Sequence, residues 1–132
     1  MVVYQELIHE PRIIPLDGRP RIPGSIRQFL GDSRGHWEGD TLVVESIDFT
    51  TDSWIGIYGW FHSDQMKVTE RISRVGDTLR YQATVEDPEV FTRPWKISMP
   101  LYRRVERNAQ LLEFKCVEFA EEMLYGHLRK RY

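Results

Sequence analysis

The sequence predicts an all-β domain: an antiparallel sheet of six to eight strands curled into a barrel. Three observations carry that prediction. Met66 to Val75 and Thr78 to Glu86 alternate apolar and polar residues with a period of two, the spacing of a strand with one face buried. Between them stands Gly76-Asp77, two residues of tight-turn chemistry, which makes the pair a hairpin. Short turns likewise separate most of the remaining one-faced segments, so consecutive strands run antiparallel.

In order along the chain, residues 1 to 16 read as one or two strands, Arg12 to Leu16 being the clearer. Asp17-Gly18-Arg19-Pro20 is a turn, and Pro20 and Pro23 keep the chain extended after it. Ser25 can cap a short helix over Ile26 to Leu30, which Gly31 ends. Thr41 to Phe49 is β-rich with an ambiguous inward face, because Leu42 and Val44 compete with Val43, Ile47 and Phe49. Residues 50 to 65 form a loop rich in glycine and aromatic residues. After the hairpin, Asp87-Pro88-Glu89 breaks the strand. Arg93 to Arg103 follows with Trp95, Ile97, Met99 and Leu101 on one face. Leu111 to Glu118 places Leu112, Phe114 and Cys116 on one face, and Phe119 to Lys130 carries Met123, Leu124, His127 and Leu128 at helical spacing, a C-terminal helical tail.

At 132 residues the chain makes one domain, spanning 1 to 132. A net charge of −2, with lysine and arginine spread along the chain, offers no basic stripe for nucleic acid. The single cysteine excludes an internal disulfide and a cysteine-rich metal cluster, which fits a reducing, cytoplasmic setting. Apolar stretches fall well short of the roughly 20 residues of a membrane helix. No signal peptide opens the chain as given.

The most informative residue is Glu70. Strict alternation in Met66 to Ser73 puts its carboxylate on the apolar face with Met66, Val68 and Ile72. A buried carboxylate is costly unless paired, and such groups gather where proteins do chemistry. The same phase rule sends Tyr81, Arg93 and Glu118 inward, and Asp87 at the end of its strand. The expected catalytic set is Glu70 as general acid or base, Arg93 as a clamp for an oxyanion, Tyr81 beside it, and His62 as a proton shuttle on the loop before the Glu70 strand. Trp37, Trp54, Tyr58, Trp60 and Trp95, with Asp87 and Glu118, are expected to line the substrate site. The competing reading makes Glu70 and Arg93 a buried ion pair hydrogen-bonded by Tyr81, Asp87 a turn cap, His62 an exposed loop histidine, and Trp37 and Trp95 plain core.

A metal would need three ligands. Only His62, Glu70 and Glu118 qualify, and no paired-histidine spacing supports them, so neither metal nor cofactor is expected. Ser46 and Ser98 lack the strand-turn-helix setting of a hydrolase nucleophile, and no glycine-rich phosphate loop is present.

The runs Arg12 to Pro20, Ile26 to Val44, Thr69-Glu70-Arg71, and Asp87-Pro88 with Phe91 to Trp95 closely resemble a large family of uncharacterised bacterial proteins, whose members often carry a signal peptide and are then exported. Where members of that family have Cys-His-Glu-Gly-Asn, this chain has Cys116-Val117-Glu118-Phe119-Ala120. The histidine is lost and Glu118 kept, which weakens a histidine-based or metal site. Gly35-His36-Trp37 resembles the start of lipocalin-like, calycin-type barrels. The expectation is therefore a lipocalin-like barrel acting as a small cofactor-independent lyase, isomerase or cyclase by proton transfer on an oxygenated organic molecule. The opposing expectations are a barrel that sequesters a hydrophobic molecule, and a domain whose function is its oligomeric contact. A small molecule is the expected partner, with a homodimer also admitted and no nucleic acid or membrane.

Overall fold

Alternating apolar residues and two-residue turns generate a meander. In the computed structural model, which describes residues 1–5, 11–56, 59–111 and 126, seven strands form. They are β1 (Val2–Val3), β2 (Arg12–Ile13), β3 (Asp32–Glu38), β4 (Thr41–Ile47), β5 (Lys67–Val75), β6 (Thr78–Glu86) and β7 (Trp95–Tyr102). Strands β3 to β7 pair in sequence order as one antiparallel sheet, and β1 and β2 make a separate two-stranded ribbon. The β5–β6 hairpin turns at Gly76-Asp77 as the sequence implies, with Gly76 at φ 61°.

The expected barrel does not close. Strands β3 and β7 lie at opposite ends of the pairing order, so among the described residues the sheet remains open. The helix expected over Ile26 to Leu30 is absent. Gln28 donates its N–H to Asp48 O (3.0 Å) and accepts from Thr50 N–H (2.9 Å), so its backbone groups are satisfied from outside the segment. Five residues are too few to hold a helix against that competition. The strand expected over Leu111 to Glu118 and the helical tail from Phe119 to Lys130 lie outside the described residues, apart from Leu111 and Gly126. No helix among the described residues is long and apolar enough to cross a membrane.

Register sorts the side chains into rows, because directly paired residues project from the same face. One row runs Gly35, Val44, Glu70, Ala83, Ile97. On either side of it lie Ser33, Ser46, Val68, Val85, Trp95 and Trp37, Leu42, Ile72, Tyr81, Met99. This settles the ambiguous strand: Leu42 and Val44 share the face of Glu70, while Val43, buried as well, faces the other way.

Two apolar clusters occupy the shared face. Ile14, Leu42 and Val44 pack with Val3 and Ile72 at one end; Phe49, Met66 and Val85 pack with Ile55, Val68, Phe91 and Trp95 at the other. The ribbon's side chains reach the sheet because Gly35 has none. A Cβ there would stand 2.5 Å from Leu16 Cδ2 and 3.0 Å from Ile14 Cγ2. The Gly35 N–H also donates to Pro15 O at 2.9 Å, fixing the segment after β2 against β3.

Candidate functional site

Glu70 is buried at 6 % exposure, as alternation requires of a residue in the row between Val44 and Ala83. Its carboxylate has two partners. Tyr81 Oη donates to Oε1 at 2.8 Å, and Arg12 Nη2 donates to Oε2 in a mostly buried ion pair. The same guanidinium extends the network: Arg12 Nη2 donates to Ser46 Oγ (2.7 Å) and Arg12 Nε to Ser33 Oγ (3.1 Å), and the two serine oxygens lie 2.8 Å apart. Charge and hydrogen-bonding capacity are thus matched, as a low-dielectric interior demands. Burial, then the negative charge of Glu70 and the hydrogen bond to it, push the Tyr81 phenol well above its ordinary value. Tyr81 therefore stays a neutral donor across the working pH range.

Tyr81 and Glu70 meet as the sequence implies, but Arg93 does not join them. It is exposed in the segment before β7, because the strand begins only at Trp95 and the inward phase cannot be extended back through Pro94. The guanidinium at Glu70 belongs to Arg12. Arg12 shares the phase of Ile14, and Ser46 that of Leu42 and Val44, so each inward aim follows from alternation once those faces are known; the sequence carries no signal that brings them to Glu70.

A cleft of about 260 Å³ opens at this network. Gln5, Arg12, Glu70 and Tyr81 form its polar part, and aliphatic side chains including Ile14, Ile72 and Met99 its apolar part. None of the described residues of the 50–64 loop lines it. That loop instead borders an apolar cavity of about 220 Å³ walled by Ile55, Trp60, Phe91 and Trp95, the last a member of the row of Val68 and Val85. His62, expected as the proton shuttle beside Glu70, accordingly does not line the Glu70 cleft.

His62 is buried, not exposed. Its Nδ1 lies 2.9 Å from Ser63 O, its Nε2 lies 2.9 Å from Ser53 Oγ, and its ring meets Phe49 edge-on at 5.9 Å. Asp87, also buried, clamps the neighbouring residue: Ser63 donates through N–H to Oδ2 and through Oγ to Oδ1, both at 2.7 Å. Trp37, Trp54 and Trp60 are each at least 60 % exposed, and Trp95 is half-buried. Trp95 lines the aromatic cavity with Trp60. Tyr58 and Glu118 lie outside the described residues. Among the described residues no group of three histidine, cysteine or acidic side chains is arranged to hold a metal.

The clamp at Asp87 carries a pH signature. Burial raises its pKa, but the Ser63 side chain, the Ser63 N–H and the backbone after Asp87 outweigh burial, and the carboxyl ends below its ordinary value. A carboxyl lower in the folded than in the unfolded state contributes stability above the unfolded pKa and loses it as pH falls through the folded one. Asp87→Asn should therefore melt below the wild type at pH 7, the gap narrowing once pH drops under about 4. Melting curves of both proteins from neutral pH down to strong acid check this; a gap unchanged across the range would contradict it. No family model, curated protein or solved structure matches the chain.

Proposed function

We propose that the protein binds a small oxygenated organic molecule in the Glu70 cleft, with the molecule's polar end at Arg12, Glu70 and Tyr81 and its carbon skeleton against Ile14, Ile72 and Met99. The observation that carries this reading is one cavity, about 260 Å³, bounded by a buried charged network on one side and aliphatic side chains on the other. Ligand sites are mostly apolar pockets with a few placed polar groups, commonly upward of about 300 Å³ for drug-sized ligands, so this one suits something smaller.

An acid-base enzyme of the lyase, isomerase or cyclase kind is the second reading. The Tyr81 to Glu70 hydrogen bond favours it, since a phenol and a carboxylate 2.8 Å apart can relay a proton. It ranks second because Arg12 occupies the other carboxylate oxygen and the phenol's hydrogen is turned toward Glu70. Accepting a proton from a substrate would require that network to open.

Thermal-shift screening of the full chain against small alcohols, ketones and carboxylic acids tests both readings. A ligand at 100 times its Kd should stabilise the wild type by about 2.7 kcal/mol. Met99→Trp, which fills the cleft, should abolish that shift; an undiminished shift would place the ligand elsewhere. Under simple binding no hit is turned over; turnover of a hit decides for the enzyme reading, under which Tyr81→Phe should slow it by about 10²- to 10⁴-fold.

A further inference from the structure

We propose that Ser53 and His62 form a second site, a serine nucleophile with its general base, acting on esters of short apolar acids seated in the cavity of Ile55, Trp60, Phe91 and Trp95. The hydrogen-bond inventory leads there. Ser63 O can only accept, so the His62 nitrogen 2.9 Å from it, Nδ1, carries the hydrogen. In the neutral ring Nε2 is then the acceptor, and Ser53 Oγ stands 2.9 Å from it. A nucleophile and base within hydrogen-bond reach, with the base oriented by a third group, is the arrangement that activates a serine.

The orientation is enforced twice. Asp87 takes both the N–H and the hydroxyl of Ser63, so the carbonyl that selects the His62 tautomer is itself held. Phe49 packs edge-on against the imidazole and belongs to the same apolar cluster as Ile55, Phe91 and Trp95. His62 is thereby tied, through Phe49, to the cluster whose members Ile55, Phe91 and Trp95 wall the apolar cavity. Ser53 is partly exposed whereas His62 is buried, which leaves the hydroxyl the approachable member. The hydroxyl's alternative acceptor is Thr50 O at 3.0 Å, so attack requires the hydrogen to turn to the nearer Nε2.

The chemistry balances without a cofactor. Ser53 Oγ passes its proton to His62 Nε2 and bonds to the ester carbonyl carbon; the tetrahedral intermediate expels the alkoxide, which takes the proton from Nε2. Water then repeats the sequence on the acyl-serine, its proton going to Nε2 and its oxygen to the carbonyl, and Ser53 leaves reprotonated. The released products are an alcohol and a carboxylic acid. A cavity of about 220 Å³ with wholly apolar walls accepts the short aliphatic or single-ring acyl group of such an ester.

The test uses the full chain with an alkyl fluorophosphonate, read by peptide mass spectrometry, and with p-nitrophenyl butyrate. The folded protein should take one label on Ser53, and the urea-unfolded protein none. Ser53→Ala should lose both label and p-nitrophenol release, and His62→Gln should slow labelling by about 100-fold or more. Ser53→Ala removes only a partly exposed hydroxyl, so it remains informative if His62→Gln fails to fold. An unlabelled Ser53 in the folded wild type overturns the proposal, as does p-nitrophenol release that persists in Ser53→Ala.

Discussion

Glu70→Gln is expected to cost about 3 kcal/mol of folding stability, the low end of the range for breaking a buried ion pair, because Arg12 keeps slight contact with water. The amide has the carboxylate's shape and can still accept from Tyr81. What it cannot do is neutralise the guanidinium, whose side chain is 15 % exposed and anchored to Ser33 and Ser46. At roughly 3 to 5 °C per kcal/mol for a domain of this size, the melting temperature should fall by about 10 °C. Adding Arg12→Met should restore much of that loss, since replacing both charges with neutral groups of similar volume is far cheaper than stranding one. A double-mutant cycle from thermal melts measures the coupling. If Glu70→Gln melts like the wild type, the pair does not hold the ribbon to the sheet.

Gly31→Ala should be about as damaging for an unrelated reason. Gly31 has φ 67°, a left-handed conformation that costs a side chain about 1 to 3 kcal/mol at a constrained position. A Cβ would also stand 2.7 Å from Ile47 O and 2.9 Å from two ring atoms of Phe49. Neither can yield cheaply: Ile47 is paired with Asp32 across the β3–β4 ladder, and the Phe49 ring is in the core against His62. Overpacking adds about 1 to 3 kcal/mol, so a total near 3 kcal/mol or above is expected. Gly76→Ala supplies the comparison, with φ 61° but nothing within 4 Å of the new Cβ. It should show the conformational penalty alone, and equal losses at the two positions would refute the steric part.

What the sequence discloses and what it hides divide along a physical line. Alternation is a local property, so β5 and β6, their turn, and the inward aim of Glu70 and Tyr81 could be read from period-two patterns. Pairing between distant segments is not local. Arg12 belongs to a two-residue strand whose contact with Glu70 spans 58 positions, and no periodicity announces it. Arg93 stays outside the network because the phase of Trp95 and Ile97 does not carry back across Pro94, where the ladder has already ended. The short helix failed for a related reason: its central residue hydrogen-bonds to Asp48 and Thr50, partners that a window around Ser25 does not contain. Whether the sheet closes on itself is likewise set by the association of its edges, which neither strand count nor strand length determines.

Arg12 and its ribbon also bear on how the molecule comes together. Every strand of the meander pairs with its neighbour in sequence, so the sheet can grow by successive closures between neighbours, tight at β3–β4 and β5–β6 and longer across residues 48–66 and 87–94. The clasp from Arg12 to Glu70 closes the longest loop of any of these contacts, and the guanidinium has its full set of partners only when β3, β4 and β5 stand side by side to present Ser33, Ser46 and Glu70. The ribbon's polar anchorage is therefore complete only once the sheet behind it has formed. Since Arg12 and Ile14 are also walls of the cleft, whatever fills that space works against lifting, and occupancy and the seating of the ribbon become a single linked equilibrium.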